Sequence, residues 1–413
     1  MGSGIGKDKS SIDDLAVLGG SPAFSEPLHV GRPNLPPLER FTELVGQIFE
    51  RGWLTNSGPV VQEFERRLAE RIGVRHCITT TNATVALELV IRGCDLSGEV
   101  IVPSFTFVAT AHAVQWLGLT PVFADVGPDH NLDPDAVAAL INERTSAILG
   151  VHLWGRPCDV DGLTDVARRH GLTLLFDAAH ALGCTLRGRN VGTFGRAEVF
   201  SFHATKYVNS AEGGAVTTND DILAERIRLM RNFGFVNYDQ VIYLGTNAKM
   251  NELSAAMGLA SLEQIDEIRE VNRLNHVAYL REMSDIRGLR FLEFSATDQS
   301  NHQYVVAEVD PSVMNLERDE IVSLLMAENI LVRRYFHPGC HRMEPYRTLY
   351  PSAGVRLGRT EHLTDRIMVF PTGRAVTPDS IQRIAQCIRL AVEGSSRLRG
   401  QIDTSALNQL PRG

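Results

Sequence analysis

The sequence predicts an α/β protein: a large domain with a mainly parallel sheet, followed by a smaller C-terminal α+β domain. Three observations carry that reading. Short β-branched and apolar runs alternate with helical patterns through the first half of the chain, and strands separated by helices imply crossover connections with helices on both sheet faces. Beyond Gly288 the texture changes to a smaller mixture of strand-like and helical stretches. The 413 residues, 44% hydrophobic and 22% charged, suffice for one large core and one smaller core.

Residues 1–30, rich in Gly, Ser and polar side chains, read as an N-terminal arm that is partly disordered. Gly31-Arg32-Pro33-Asn34 and Pro36-Pro37 make an extended, turn-prone entry to the large domain, assigned to 31–260. After the Trp53 to Pro59 turn, Val61, Phe64, Leu68 and Ile72 recur at helical spacing, with Gly73 as the stop. Candidate strands follow at Val100 to Val102, Pro121 to Ala124, Ala147 to His152, Thr173 to Phe176 and Val199 to Phe202. Helical stretches at Pro134 to Ile141 and Gly162 to His170 lie between them. A long helical pattern from Asn251 to Met283 carries the chain away from the sheet. The small domain, 261–393, has strand signals at Tyr304 to Val309 and Ile330 to Arg334, and helices at Arg318 to Glu328 and Ser380 to Val392. Residues 394–413 read as a loose tail.

A formal net charge of -8 and a pI near 5.9 argue against a nucleic-acid-binding or membrane-surface protein. No apolar stretch has the length of a signal core or a membrane span, so a cytoplasmic protein is expected. The six cysteines contain no CxxC pair, which fits reduced core thiols better than disulfides or a zinc site. No metal is expected.

Chemistry concentrates at strand ends, where ligands of open parallel sheets bind. Thr79-Thr80-Thr81-Asn82-Ala83-Thr84 leads into the apolar helix Val85 to Ile91. Free N–H groups and the helix dipole there favour a phosphate, although a simple N-cap explains the same residues. Asp177 follows the apolar run Leu174-Leu175-Phe176. A carboxylate so placed needs a cation, and the pyridinium of pyridoxal 5'-phosphate (PLP) is one; an N-cap or metal ligand is the alternative. Lys206, 29 residues after Asp177, closes FSFHATK ahead of the Glu212-Gly213-Gly214 turn. Lysine forms a Schiff base with an aldehyde cofactor. Ser201 offers a phosphate hydrogen bond, and His203 is read as a packed, hydrogen-bonded residue. Taken together, the order of the three features makes PLP the leading cofactor.

GRPN, GWLTNSGP, VPSFTFVATAHAV, PVFADV, VHLWG, FDAAHALG, FSFHATK, EGGAV, GTNAKMNELSAAMGLASLE and PGCH occur in this order between Gly31 and Thr377. In these segments the chain resembles the DegT/DnrJ/EryC1/StrS family of sugar aminotransferases, which have the type I PLP-dependent transferase fold. The resemblance implies Lys206 as the lysine bonded to the cofactor and Asp177 as the partner of the pyridine nitrogen. It implies His180 near the ring hydroxyl, Phe107 stacked on the ring, and Ala83, Thr84 and Ser201 on the phosphate. Asn247 matches an asparagine that reaches the neighbouring subunit's phosphate, implying a homodimer with shared sites. His341 matches a histidine of the substrate-facing loop, with PGCH spacing in place of the commoner PLH. Ala83 stands where the family often has Gly, and Asn82 where it often has Ser; an alanine at positive φ would alter the phosphate turn.

The expected activity is amino transfer from glutamate to a nucleotide-linked keto sugar, most like dTDP-4-keto-6-deoxyglucose. Arg333, Arg334 or Lys249 are candidates for the diphosphate, each equally readable as a surface charge. Alternatives are amination of a cyclitol ketone and a non-catalytic PLP-binding regulator, for which no DNA-binding appendage is visible. A dehydratase relative would commonly carry His in place of Lys206.

Overall fold

The computed structural model describes residues 8–408. Among the described residues, the central sheet has seven strands in the order His76–Thr80, Gly214–Thr218, Ala197–Ser201, Thr173–Asp177, Thr145–Val151, Glu99–Pro103 and Thr120–Ala124. Gly214–Thr218 runs antiparallel to both neighbours, and the other six share one direction. The expected strands are all present with small shifts at their ends. His76–Thr80 and Gly214–Thr218 are additional, their buried threonines making them look polar in sequence.

The apolar strand runs are continuous because both faces are covered. Ile101, Ile148 and Phe176 enter one core, packed with Leu44, Ile48, Phe64, Leu68, Leu163 and Leu259. Their neighbours Val100, Val102, Leu149 and Leu175 enter the opposite core with Leu87, Val90, Val114 and Ile227. Alternate residues of one strand thus feed two helical layers.

The long pattern from Asn251 divides into Glu252–Leu262 and Ile265–Glu282. The first helix is buried along most of its length, while the second presents an exposed charged face. Ile265 and Ile268 belong to the large core, and Tyr279 and Met283 belong to the second core. The second helix therefore bridges the two units.

The C-terminal unit contains an antiparallel sheet, Leu289–Phe291, Val305–Val309 and Ile367–Phe370, packed by Arg318–Ala327 and Pro378–Glu393. The segments expected to be a partly disordered arm and a loose tail join this unit where described. Leu28–His29 pairs in parallel with Ile330–Leu331, so only the first part of the strand expected at Ile330 to Arg334 forms a ladder. Leu15, Phe24, Leu28, Leu398 and Leu407 are buried in the unit's core. Their scattered apolar side chains outweigh the polar composition on which the loose reading rested.

Candidate active site

A cavity of about 500 Å³ opens where the carboxyl ends of the central strands meet the second unit. Its wall includes Asn82, Ala83, Thr84, Phe107, Asp177, His180, Ser201 and Lys206. Asp177 is the last residue of Thr173–Asp177 and Ser201 the last of Ala197–Ser201, while Phe107 lies in the loop after Glu99–Pro103. Tyr304, Arg333, Tyr335 and Phe336 enter from the second unit.

The helix Ala83–Gly93 begins at the cavity wall, with Asn82 as its N-cap accepting from Val85 N–H at 2.9 Å. Thus the capping and anion-site readings coexist: Asn82 satisfies one donor, and the N–H groups of Ala83 and Thr84 begin the helix without intrahelical acceptors. Ala83 is the first helical residue, so the concern over a positive φ does not arise. Gly214 pairs with both Thr80 and Ser201 beside this turn. A Cβ there would sit 2.6 Å from Ala83 N and Asn82 C; the glycine is needed for this close approach of two backbones.

Asp177, 6% exposed, accepts hydrogen bonds from Thr110 Oγ1 at 2.9 Å and Ala179 N–H at 3.0 Å. Burial raises its pKa, while those two donors and the positive charge of Lys206 oppose the rise. Burial lowers the Lys206 amine to about 8, with Asp177 pulling it upward. His180 is pushed well below the ordinary histidine value, first by burial and then by Lys206. It is a neutral imidazole. Its Nδ1 faces Trp154 N–H at 3.4 Å, which leaves the proton on Nε2.

The remaining candidates divide between the cavity and its surroundings. His341 is 5% exposed and does not line the cavity: its ring contacts Ser104 Oγ at 2.7 Å and Glu361 at 3.4 Å. The Ser104 hydroxyl also accepts from the His341 main-chain N–H, and these paired bonds fix the ring against Ser104. Asn247 is exposed outside the cavity. Of the three candidate cations, Arg333 lines the cavity; Arg334 pairs with Asp319 at 2.8 Å and Lys249 donates to Asn232 at 2.9 Å. His203 is exposed at the cavity rim and bonded to Thr205, because the strand ends at Ser201. It is hydrogen-bonded as expected, but not packed.

Sequence reading missed Thr110, Trp154, Tyr304, Tyr335 and Phe336. Trp154 has φ 60, an unusual conformation for a large side chain. Thr110 lies in the ATAHAV helix and carries no separate signal, and the aromatics look like ordinary core residues.

The cavity fits PLP. Asp177 is a buried carboxylate whose hydrogen bonds come from neutral donors, suited to a ring cation. The helix start suits a phosphate. Phe107, 57% exposed, presents an uncovered aromatic side chain at the cavity wall, and Lys206 supplies an amine of lowered basicity. Fold and site together define a type I PLP-dependent enzyme.

The DegT/DnrJ/EryC1/StrS aminotransferase family model matches residues 38–389, and the chain belongs to that family. It is a PLP-dependent aminotransferase. It is 34% identical over 367 residues to the dTDP-4-amino-4,6-dideoxy-D-glucose transaminase of Shigella dysenteriae, covering 89% of this chain and 99% of that protein. It is 31% identical over 368 residues to the GDP-perosamine synthase of Vibrio cholerae, covering 87% and 98% of the two chains. The structure of DesI determined in the presence of its TDP-sugar product superposes with a TM-score of 0.88 and 49% identity, covering 94% of this chain and 99% of DesI. Among the described residues, no helix is long and apolar enough to cross a membrane.

Proposed function

We propose that this enzyme transfers an amino group from glutamate to carbon 4 of a dTDP-linked 4-keto-6-deoxy sugar, acting as a cytoplasmic homodimer with shared active sites. The observation that carries the sugar assignment is the 49% identity to DesI over nearly the whole of both chains.

When bound, PLP supplies an aldehyde that bonds amines and a ring that accepts the electron pair released at the donor's α carbon. Lys206 Nζ would hold the cofactor and, once freed, would accept the proton from the donor's α carbon. Its lowered pKa suits both tasks. Asp177 would keep positive charge on the ring nitrogen. His180, with its proton on Nε2, would donate to the ring hydroxyl, and Phe107 would offer its aromatic face to the ring. The N–H groups of Ala83 and Thr84 and the Ser201 hydroxyl would hold the phosphate. Arg333 offers a guanidinium to a substrate anion.

The dimer reading is supported by a run of exposed apolar side chains. Phe233, Phe235, Val236, Tyr238, Val241, Ile242 and Leu244 all face solvent in the single chain, with Tyr238 99% exposed. A patch of this kind suits a second copy, and Asn247 follows directly after it. We expect Asn247→Ala to weaken PLP affinity by about tenfold, a loss of roughly 1.4 kcal/mol, measured by spectral titration; unchanged affinity would remove Asn247 from the phosphate site.

The deciding experiment mixes the PLP-loaded protein with glutamate and follows the visible spectrum. Glutamate should convert the cofactor to its amine form, and dTDP-4-keto-6-deoxyglucose should restore the starting spectrum. NMR of the product then reads the aminated carbon. A spectrum unmoved by glutamate would overturn the donor assignment, and a product aminated elsewhere would overturn the sugar assignment.

A further inference from the structure

Lys206 Nζ donates a hydrogen bond to the Tyr304 hydroxyl at 3.2 Å. The two residues come from different units: Lys206 follows the central strand Ala197–Ser201, and Tyr304 immediately precedes Val305–Val309 of the C-terminal sheet. Tyr304 is 6% exposed. Its ring is fixed by His180 at 4.5 Å, Trp154 at 5.4 Å and Tyr335 at 6.3 Å between centroids. The phenol is thus held rigidly, whereas the lysine amine ends a flexible four-carbon stem.

Amino transfer frees the Lys206 amine in each half of the cycle, and a loose amine in this pocket has a competing destination. Asp177 attracts it, and while no cofactor engages that carboxylate an ion pair between the two would withdraw both groups from their tasks. We propose that Tyr304 is a positioning residue that holds the Lys206 amine whenever it is not bonded to the cofactor.

A neutral phenol suits this role because it orients an amine by hydrogen bonding without capturing it by charge. Burial raises the Tyr304 pKa, keeping it a phenol through the working range. The other groups facing the amine do not replace it. Asp177 is engaged by Thr110 and Ala179, and His180 is oriented by Trp154. Burial keeps Tyr335 in its phenol form, so it brings no charge to bear on the amine. Arg333 lies in the cavity wall, and as a cation it does not accept a hydrogen bond from the amine.

The proposal rests on the aminotransferase reading of Lys206 but not on the identity of the sugar. It is tested with Tyr304→Phe, which keeps the ring and removes the hydroxyl. In cofactor-free protein, acylation of Lys206 is followed against pH by peptide mass spectrometry. Loss of the phenol leaves the buried ammonium without that partner, so the midpoint should fall by about one pH unit. With PLP bound, the single-turnover rate with glutamate should fall about tenfold, while the PLP dissociation constant stays within about twofold. An unchanged labelling midpoint, or weakened PLP binding with an unchanged glutamate rate, would overturn the positioning role. A wild-type protein that fails to react with glutamate would instead overturn the activity, with the labelling result still deciding the role of Tyr304.

Discussion

A lysine amine in a pocket of low polarity gives up its proton more readily than one in water, because burial penalises the charged form. For Lys206 the fall is from the ordinary 10.5 to about 8, which raises the neutral share at pH 7 by about 300-fold. Only the neutral amine attacks an aldehyde. The rate of PLP capture by cofactor-free protein should therefore climb with pH to about 8 and then level off; stopped-flow absorbance checks this, and a climb continuing toward 10.5 would mark an ordinary lysine. Lys206→Ala should lose the borohydride-reducible bond to PLP altogether, read as the absence of a reduced adduct by mass spectrometry. Lys206 and Asp177 were legible in sequence because their chemistry is rare beside apolar strand ends. Tyr304 and Thr110 were not, since a tyrosine before a strand and a threonine in a helix become informative only when a fold sets them against Lys206 and Asp177.

At the level of elements, the phosphate turn depends on how closely Gly214–Thr218 approaches the start of Ala83–Gly93. Gly214→Ala would place a methyl group 2.6 Å from Ala83 N, forcing backbone to move. We expect a stability loss of about 1–3 kcal/mol together with weaker PLP binding, measured by denaturant unfolding and spectral titration. Retained stability and affinity would show that the turn tolerates displacement. Glu212-Gly213-Gly214 reads in sequence as a turn, and the strand that begins at Gly214 gives no signal of its own. Its threonines are buried at the sheet, and the backbone ladder supplies a drive to strand that composition alone does not reveal. His341 shows the same dependence on tertiary contacts: its ring bonds the Ser104 hydroxyl, which also accepts from the His341 main-chain N–H.

Across the whole molecule, a buried ion pair ties the first described residues to the C-terminal unit. Lys9 Nζ lies 2.9 Å from Glu328, with side chains 4% and 0% exposed. Glu328 also accepts the N–H groups of Ala16 and Ala23. Removing one member leaves the other charge buried and unpaired, so Glu328→Ala should cost about 3–5 kcal/mol, read as a lower midpoint in denaturant unfolding. A change too small to measure would mean that the segment contributes little to folding. By itself the sequence determined the alternating strands and helices, the second α+β unit, the family and its cofactor, because hydrophobic periodicity and ordered motifs are local properties of the chain. Tertiary structure alone decided that both terminal segments join the second unit, that Arg333 rather than Arg334 or Lys249 reaches the cavity, and that Tyr304 meets Lys206. Each depends on contacts between residues far apart in the chain, where burial and hydrogen-bond satisfaction select one arrangement among many that the local pattern allows.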